Sequence, residues 1–185
     1  ALIGPVTAIG LYEESRRREL GLDLSWRHSF ALVRSRSILP IVAVSIVLTG
    51  VFIAWLIAAL IIHQLTIGGW EPTSIAEFAR LIVATPEGWA LVIVGNSVGA
   101  FFAVVALCIG VVSFPLLVDR HVDAVTAIRT SIRAVLANPV TMTLWGLIVA
   151  GALLIGSVPV FVGLAIVWPV LGHSTWHLYR KVVEH

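Results

Sequence analysis

Charge is what this chain has least of. Of its 185 residues, 12% are Asp, Glu, Lys or Arg, about half the share of an ordinary soluble domain. Three stretches, 37–70, 88–118 and 134–179, hold none of the four. Each exceeds the roughly 20 apolar residues that cross a hydrocarbon core of about 30 Å, so a soluble globular fold is excluded and a polytopic membrane protein is expected. Cysteine is nearly missing as well. Cys108 stands alone, so no internal disulfide can form, and inside an apolar run it reads as a small hydrophobe. The net charge of +2 in a membrane chain reports orientation, and no nucleic-acid partner is expected from it.

What is present is apolar: 59% of the residues are hydrophobic and the mean hydropathy is +1.02. The stretch 1–12 is too short to span, and Glu13, Glu14 and Arg16 to Arg18 follow it, the reverse of a secretory signal. It reads as the end of a span whose upstream part is missing, with at least one more span before Ala1. Full spans are expected at 38–62, with Pro40 in a first turn that needs no N–H, and at 86–118, behind Thr85 as N-cap. The uncharged 46 residues of 134–179 are too long for one helix. Gly156-Ser157-Val158-Pro159 is turn chemistry, giving a hairpin of 139–157 and 159–179. The expected fold class is all-α: a polytopic transmembrane helical bundle, four complete spans plus the end of a fifth, forming one membrane domain over 1–185.

If those spans alternate, eleven of the twelve basic residues share one side: Arg16, Arg17, Arg18, Arg27, Arg34 and Arg36, then Arg120, Arg129 and Arg133, then Arg180 and Lys181. Only Arg80 lies on the other. The positive-inside rule makes the eleven cytoplasmic, with the C-terminus, and turns 63–85 and 156–159 outward. Trp26 and Trp176 then fall at the inner interface and Trp70 and Trp89 at the outer one, where aromatic belts are expected. In the outer segment, Ser74-Ile75-Ala76-Glu77 is a capping box opening a short helix over 74–84.

Two basic segments look alike. Arg27, Ser29 and Val33 match Arg129, Ser131 and Val135 at a constant offset of 102, and both segments carry apolar residues at helical spacing. They read as amphipathic helices over 22–37 and 121–137, lying in the cytoplasmic membrane surface. Each follows a proline-containing helix end, Gly4-Pro5 or Phe114-Pro115, and Trp168-Pro169 makes a third. An internal repeat is one reading; the other is that short cytoplasmic linkers in membrane proteins are commonly basic and amphipathic.

Ion-driven transporters need ionisable groups inside the bilayer, and no Asp, Glu, Lys or Arg lies deep in any expected span. Asn96 is the most polar group there. Gly95 and Gly99 make a small-x-x-x-small pair that allows close helix approach, and Asn96 beside them could bond across that contact or line a substrate path. His173 and His177, four apart on one helix face, have a spacing suited to a divalent metal or a haem ligand. Two ligands are an incomplete set, and interfacial hydrogen bonding is the other reading. No phosphate loop, nucleophile–base pair or zinc-protease motif is present, so no catalytic residue, cofactor or metal is expected. The Glu13, Glu14, Arg16 to Arg18 group reads as a solvated, self-paired helix face, with a general acid–base site the alternative if a pocket formed over it.

Certain residues also suggest a family. Gly4-Pro5, Gly10-Leu11-Tyr12-Glu13 with Ser15-Arg16-Arg17, Phe114-Pro115-Leu116-Leu117 with Asp119-Arg120, Asp123-Ala124, Asn138, and Gly172-His173 with Thr175-Trp176-His177-Leu178-Tyr179-Arg180 resemble a bacterial family of predicted integral membrane proteins that carries a domain-of-unknown-function label. The resemblance covers essentially the whole chain. It implies a six-helix inner-membrane protein of proteobacteria-like organisms, longer at the N-terminus by about two spans, and it implies no activity.

The function expected first is therefore that of a non-enzymatic accessory or scaffolding subunit of a larger membrane complex, with lipids and other integral membrane subunits as partners. A handler of haem, metal or a hydrophobic substrate through His173, His177 and the kinked last span is one alternative. A lipid-interacting, membrane-organising protein working through the two basic helices is another.

Overall fold

A computed structural model describes residues 3–22, 37–70, 73–158 and 161–183, which are helical with no strand among them. The helices are α1 (Ile3–Glu19), α2 (Ile38–Thr66), α3 (Ile75–Ala84), α4 (Pro86–Gly110), α5 (Ser113–Asp119), α6 (Ala124–Ala137), α7 (Pro139–Ser157) and α8 (Leu164–Val183). The in-plane helix expected over 22–37 falls on 23–36, outside the described residues.

Local chemistry sets many of the boundaries. α2, α4 and α7 each carry a proline in the first turn, where no intrahelical N–H is needed. Thr85 Oγ1 accepts the Gly88 N–H at 3.0 Å at the head of α4, and a Cβ at Gly88 would run into the backbone of Leu81 and Ile82. Ser74 Oγ accepts the Glu77 N–H at 3.2 Å, while Glu77 Oε2 reaches back to the Thr73 N–H at 2.9 Å. Asp123 caps α6 through the Thr126 N–H at 2.9 Å.

The expected span 86–118 is broken near its end, between α4 and α5. Pro115 has no N–H for the Val111 carbonyl, and its ring crowds that oxygen, so the helix parts at 111–112. The freed Val112 N–H is taken by Ser131 Oγ of α6 at 3.2 Å. Ser131 and Val112 are both fully buried.

Among the described residues three segments are long and apolar enough to cross a membrane: Ile38–Thr66, Pro86–Asp119 and Pro139–Ser157. The fourth expected span, 159–179, corresponds to α8, which starts only at Leu164. A turn precedes it, in which Phe161 adopts φ 65°, a left-handed conformation that bulky residues rarely take. Pro169 lies inside α8, and His173, Thr175, His177, Arg180 and Lys181 make its second half polar.

The chain forms two compact units, Ala1–Leu48 with Ala106–His185, and Thr49–Val105. In the first, the proline-containing ends α1, α5 and α8 pack against one another pairwise, α6 lies on α5, and α7 runs along α8. Tyr12, Val44, Leu117, Met142, Trp176 and Tyr179 form the centre of its core. In the second unit, Ile67 and Leu81 are the buried hydrophobics among the described residues.

Candidate functional site

The polar residues of the first unit gather where α1, α5 and α8 meet. α1 and α8 run in parallel, as shown by Ser15 against His173 and Glu19 against His177 and Arg180. Gly172 permits the approach: a Cβ there would come within 2.6 Å of Leu11 Cδ1 and 3.1 Å of Leu11 Cβ.

Glu13 is only 3% exposed, a position a carboxylate tolerates when its charge is answered. Arg16 Nε lies 2.8 Å from its Oε2 and Arg17 Nε 2.9 Å from its Oε1. The Glu13 hydrogen bond raises the Arg16 pKa above its ordinary value, and the charges of Glu13 and Asp119 add to it. Asp119 accepts the Tyr179 hydroxyl at 2.8 Å, with Arg180 Nη1 at 3.6 Å and Arg120 Nε at 3.8 Å. Glu19 pairs with Arg180 Nε at 3.0 Å. Arg180 also sits 5.9 Å from the centroid of the Trp176 ring, within cation–π range. Trp176 itself is fully buried, its Nε1 without a hydrogen-bond partner among the described residues.

His173 and His177 turn to different residues of α1. His173 Nδ1 lies 2.6 Å from Ser15 Oγ, whose hydroxyl donates to Leu11 O at 2.9 Å. The hydroxyl has one proton to share between Leu11 O and the imidazole, so the direction of the Ser15–His173 bond follows the histidine tautomer. The contact ties α1 to α8. His177 is largely exposed, with Nδ1 3.8 Å from Glu19 Oε1. Among the described residues no group of three or more His, Cys, Asp or Glu side chains is placed to hold a metal ion.

Asn96, Gly95 and Gly99 lie on α4, in the second unit. Asn96 Nδ2 donates to Val92 O of its own helix at 2.7 Å. A Cβ on Gly95 would meet open space, whereas one on Gly99 would lie 3.7 Å from Trp55 Nε1.

The contacts that sequence reasoning misses are tertiary: Tyr179 to Asp119, His173 to Ser15, and Ser131 to the broken end of α4. The signal available was that Gly10 to Arg17, Phe114 to Arg120 and Gly172 to Arg180 stand out as motifs, and these three segments are the ones that converge. The family model described as Predicted integral membrane protein (DUF2189) matches residues 1–119, taking in the first two of the three. No curated protein and no solved structure matches the chain.

Proposed function

The chain belongs to the DUF2189 family of predicted integral membrane proteins, and on that premise we propose that it acts without catalysis, as an accessory or scaffolding subunit of a larger complex in the bacterial inner membrane. In this reading it crosses the bilayer four times, with the α1–α5–α8 cluster and the C-terminus cytoplasmic.

The observation that carries the reading is the contrast between a closed polar cluster and open apolar helices. Glu13, Glu19 and Asp119 are answered by Arg16, Arg17, Arg180 and Tyr179 of the same unit. Chemistry of that kind fixes helix ends relative to one another. By contrast, 17%, 44% and 11% of the central stretches of the three apolar segments are buried. Gly50, Gly95 and Gly151 each face open space. In a bilayer such faces meet lipid or other helices, and small residues favour the second.

The test is photocrosslinking in native membranes, with a crosslinking amino acid at Leu60, Ile93 or Leu147, all exposed on the apolar helices. Discrete adducts to an integral membrane protein, and its co-elution in mild detergent, are expected. A chain that crosslinks only to lipid at all three sites and runs as a monodisperse monomer would overturn the proposal. The cofactor alternative is checked on the same preparation: a haem absorption band or stoichiometric metal would favour it, and the partners that His173 and His177 already have in Ser15 and Glu19 speak for a structural role.

A further inference from the structure

The outward side of α6 is loaded differently from the cluster beneath it. Ala127, Ser131, Ala134 and Val135 face inward and are buried, and the Ser131 bond to the Val112 N–H fixes that side in place. At roughly 100° per residue, Val125, Leu136, Arg129 and Arg133 share an arc of about 80° on the opposite side. Val125 is 58% and Leu136 71% exposed, and both arginines are exposed. Neither Arg129 nor Arg133 has an ion-pair partner among the described residues, whereas Arg16, Arg17, Arg120 and Arg180 all do. α6 contains no Asp or Glu, and the nearby Asp123 is occupied by Thr126.

Both ends of α6 are tied to apolar segments. Pro86–Asp119 ends five residues before it, and Pro139–Ser157 begins beyond the single residue Asn138. A helix so tethered lies at the bilayer surface, where phosphates and acyl chains meet.

We propose that this face of α6 docks anionic phospholipid of the bilayer, Arg129 and Arg133 holding headgroup phosphates while Val125 and Leu136 enter the acyl boundary. Charge complementarity favours a polyanionic surface. Two large apolar side chains flush with the same face favour a membrane over an acidic protein, which would match the arginines alone. The inference rests on the placement of the apolar segments in a bilayer and is independent of the accessory-subunit reading.

The test uses the full chain reconstituted in vesicles of equimolar phosphatidylcholine and phosphatidylglycerol, extracted in mild detergent and examined by native mass spectrometry. An excess of bound phosphatidylglycerol that declines with rising salt is expected. R129Q/R133Q should cut that excess on the order of thirty-fold, from the usual contribution of a basic residue near an anionic surface. R129K/R133K should keep most of it, since charge suffices for headgroup attraction, and Arg80→Gln should leave it unchanged. Equal adducts of the two lipids, a wild-type excess insensitive to salt, or an excess intact in R129Q/R133Q of unchanged helicity would each overturn the proposal. So would loss of a bound protein, rather than of lipid, from R129Q/R133Q. The salt titration needs no variant, so it decides the matter even if R129Q/R133Q misfolds.

Discussion

The two compact units share one way of satisfying polar groups in an apolar chain, and only one of them adds a second. In Thr49–Val105 polar side chains turn to their own backbone: Thr66 to Ile62 O, Asn96 to Val92 O and Ser97 to Ile93 O, each four residues back. In the other unit Ser45, Ser157 and Thr175 do the same, while others reach across the fold, Ser15 to His173 over 158 residues and Tyr179 to Asp119 over 60. The first pattern needs only a helix and a bilayer, because every backbone group is satisfied within the segment. The second needs one particular tertiary arrangement. Sequence changes should therefore be tolerated in Thr49–Val105 and punished in the unit that holds the polar cluster.

Truncation of a large side chain breaks or upholds that contrast most directly. Trp176→Ala, at a fully buried position, should cost about 3–5 kcal/mol. Phe101→Ala, at a position 64% exposed, should stay within about 0.5 kcal/mol. Thermal unfolding in detergent followed by circular dichroism measures both, and equal losses would erase the distinction. Next in size, Asp119→Ala leaves the Tyr179 hydroxyl without its acceptor and Arg180 without one of its two carboxylates. A loss of about 2 kcal/mol is expected from a hydrogen bond to a charged group. Tyr179→Phe in the Asp119→Ala background should then add little, which a double-mutant cycle will show.

Glycines sharpen the comparison further. Gly172→Val puts a branched side chain against Leu11, and overpacking of this kind costs about 1–3 kcal/mol. Gly95→Val enters open space and should change stability by less than about 0.5 kcal/mol. A cysteine pair placed at 15 and 173, whose side chains meet across the two helices, would report separation of α1 from α8 directly, through loss of disulfide trapping in the Gly172→Val background.

The smallest effect is one in which the units should agree. Glu77 is held below its usual pKa by the Thr73 hydroxyl and N–H, and Asp123 by the Thr126 hydroxyl and N–H. Each carboxyl is more acidic folded than unfolded, so its contribution is complete above the ordinary carboxylate range. It is lost as pH falls through the lowered folded value. Amide protection, taken relative to the intrinsic exchange rate at each pH, should therefore fall in the first turns of α3 and α6 together on acidification, with the rest of each helix little affected. A response in only one of the two would show that the other's cap is not held by its carboxylate.

Much of this contrast is legible in the order of the residues alone. The charge-free stretches and the prolines at 40, 86 and 139 mark apolar helices because composition and first-turn geometry are local properties. The caps at Ser74 and Thr85 lie beside the backbone groups they satisfy, within a few residues along the chain. The meeting of α1, α5 and α8 is not legible, since nothing at Ser15 announces His173 and nothing at Asp119 announces Tyr179. Asn96 illustrates the boundary between the two kinds of knowledge: its polarity stands out in the sequence, but whether its amide crosses to a neighbour or returns to Val92 is decided by whether a neighbour is there. The late start of α8 also escapes local reasoning, because the turn at Phe161 takes a backbone conformation its own residue type disfavours.

The hydroxyl of Ser131 has a mechanical meaning. It is bound to the Val112 N–H at the break between α4 and α5, so α6 cannot slide or tilt without stripping that group of its acceptor, at a cost of about 1–3 kcal/mol. α6 and the broken end of α4 are therefore coupled, since displacing either one strips the other of a hydrogen bond.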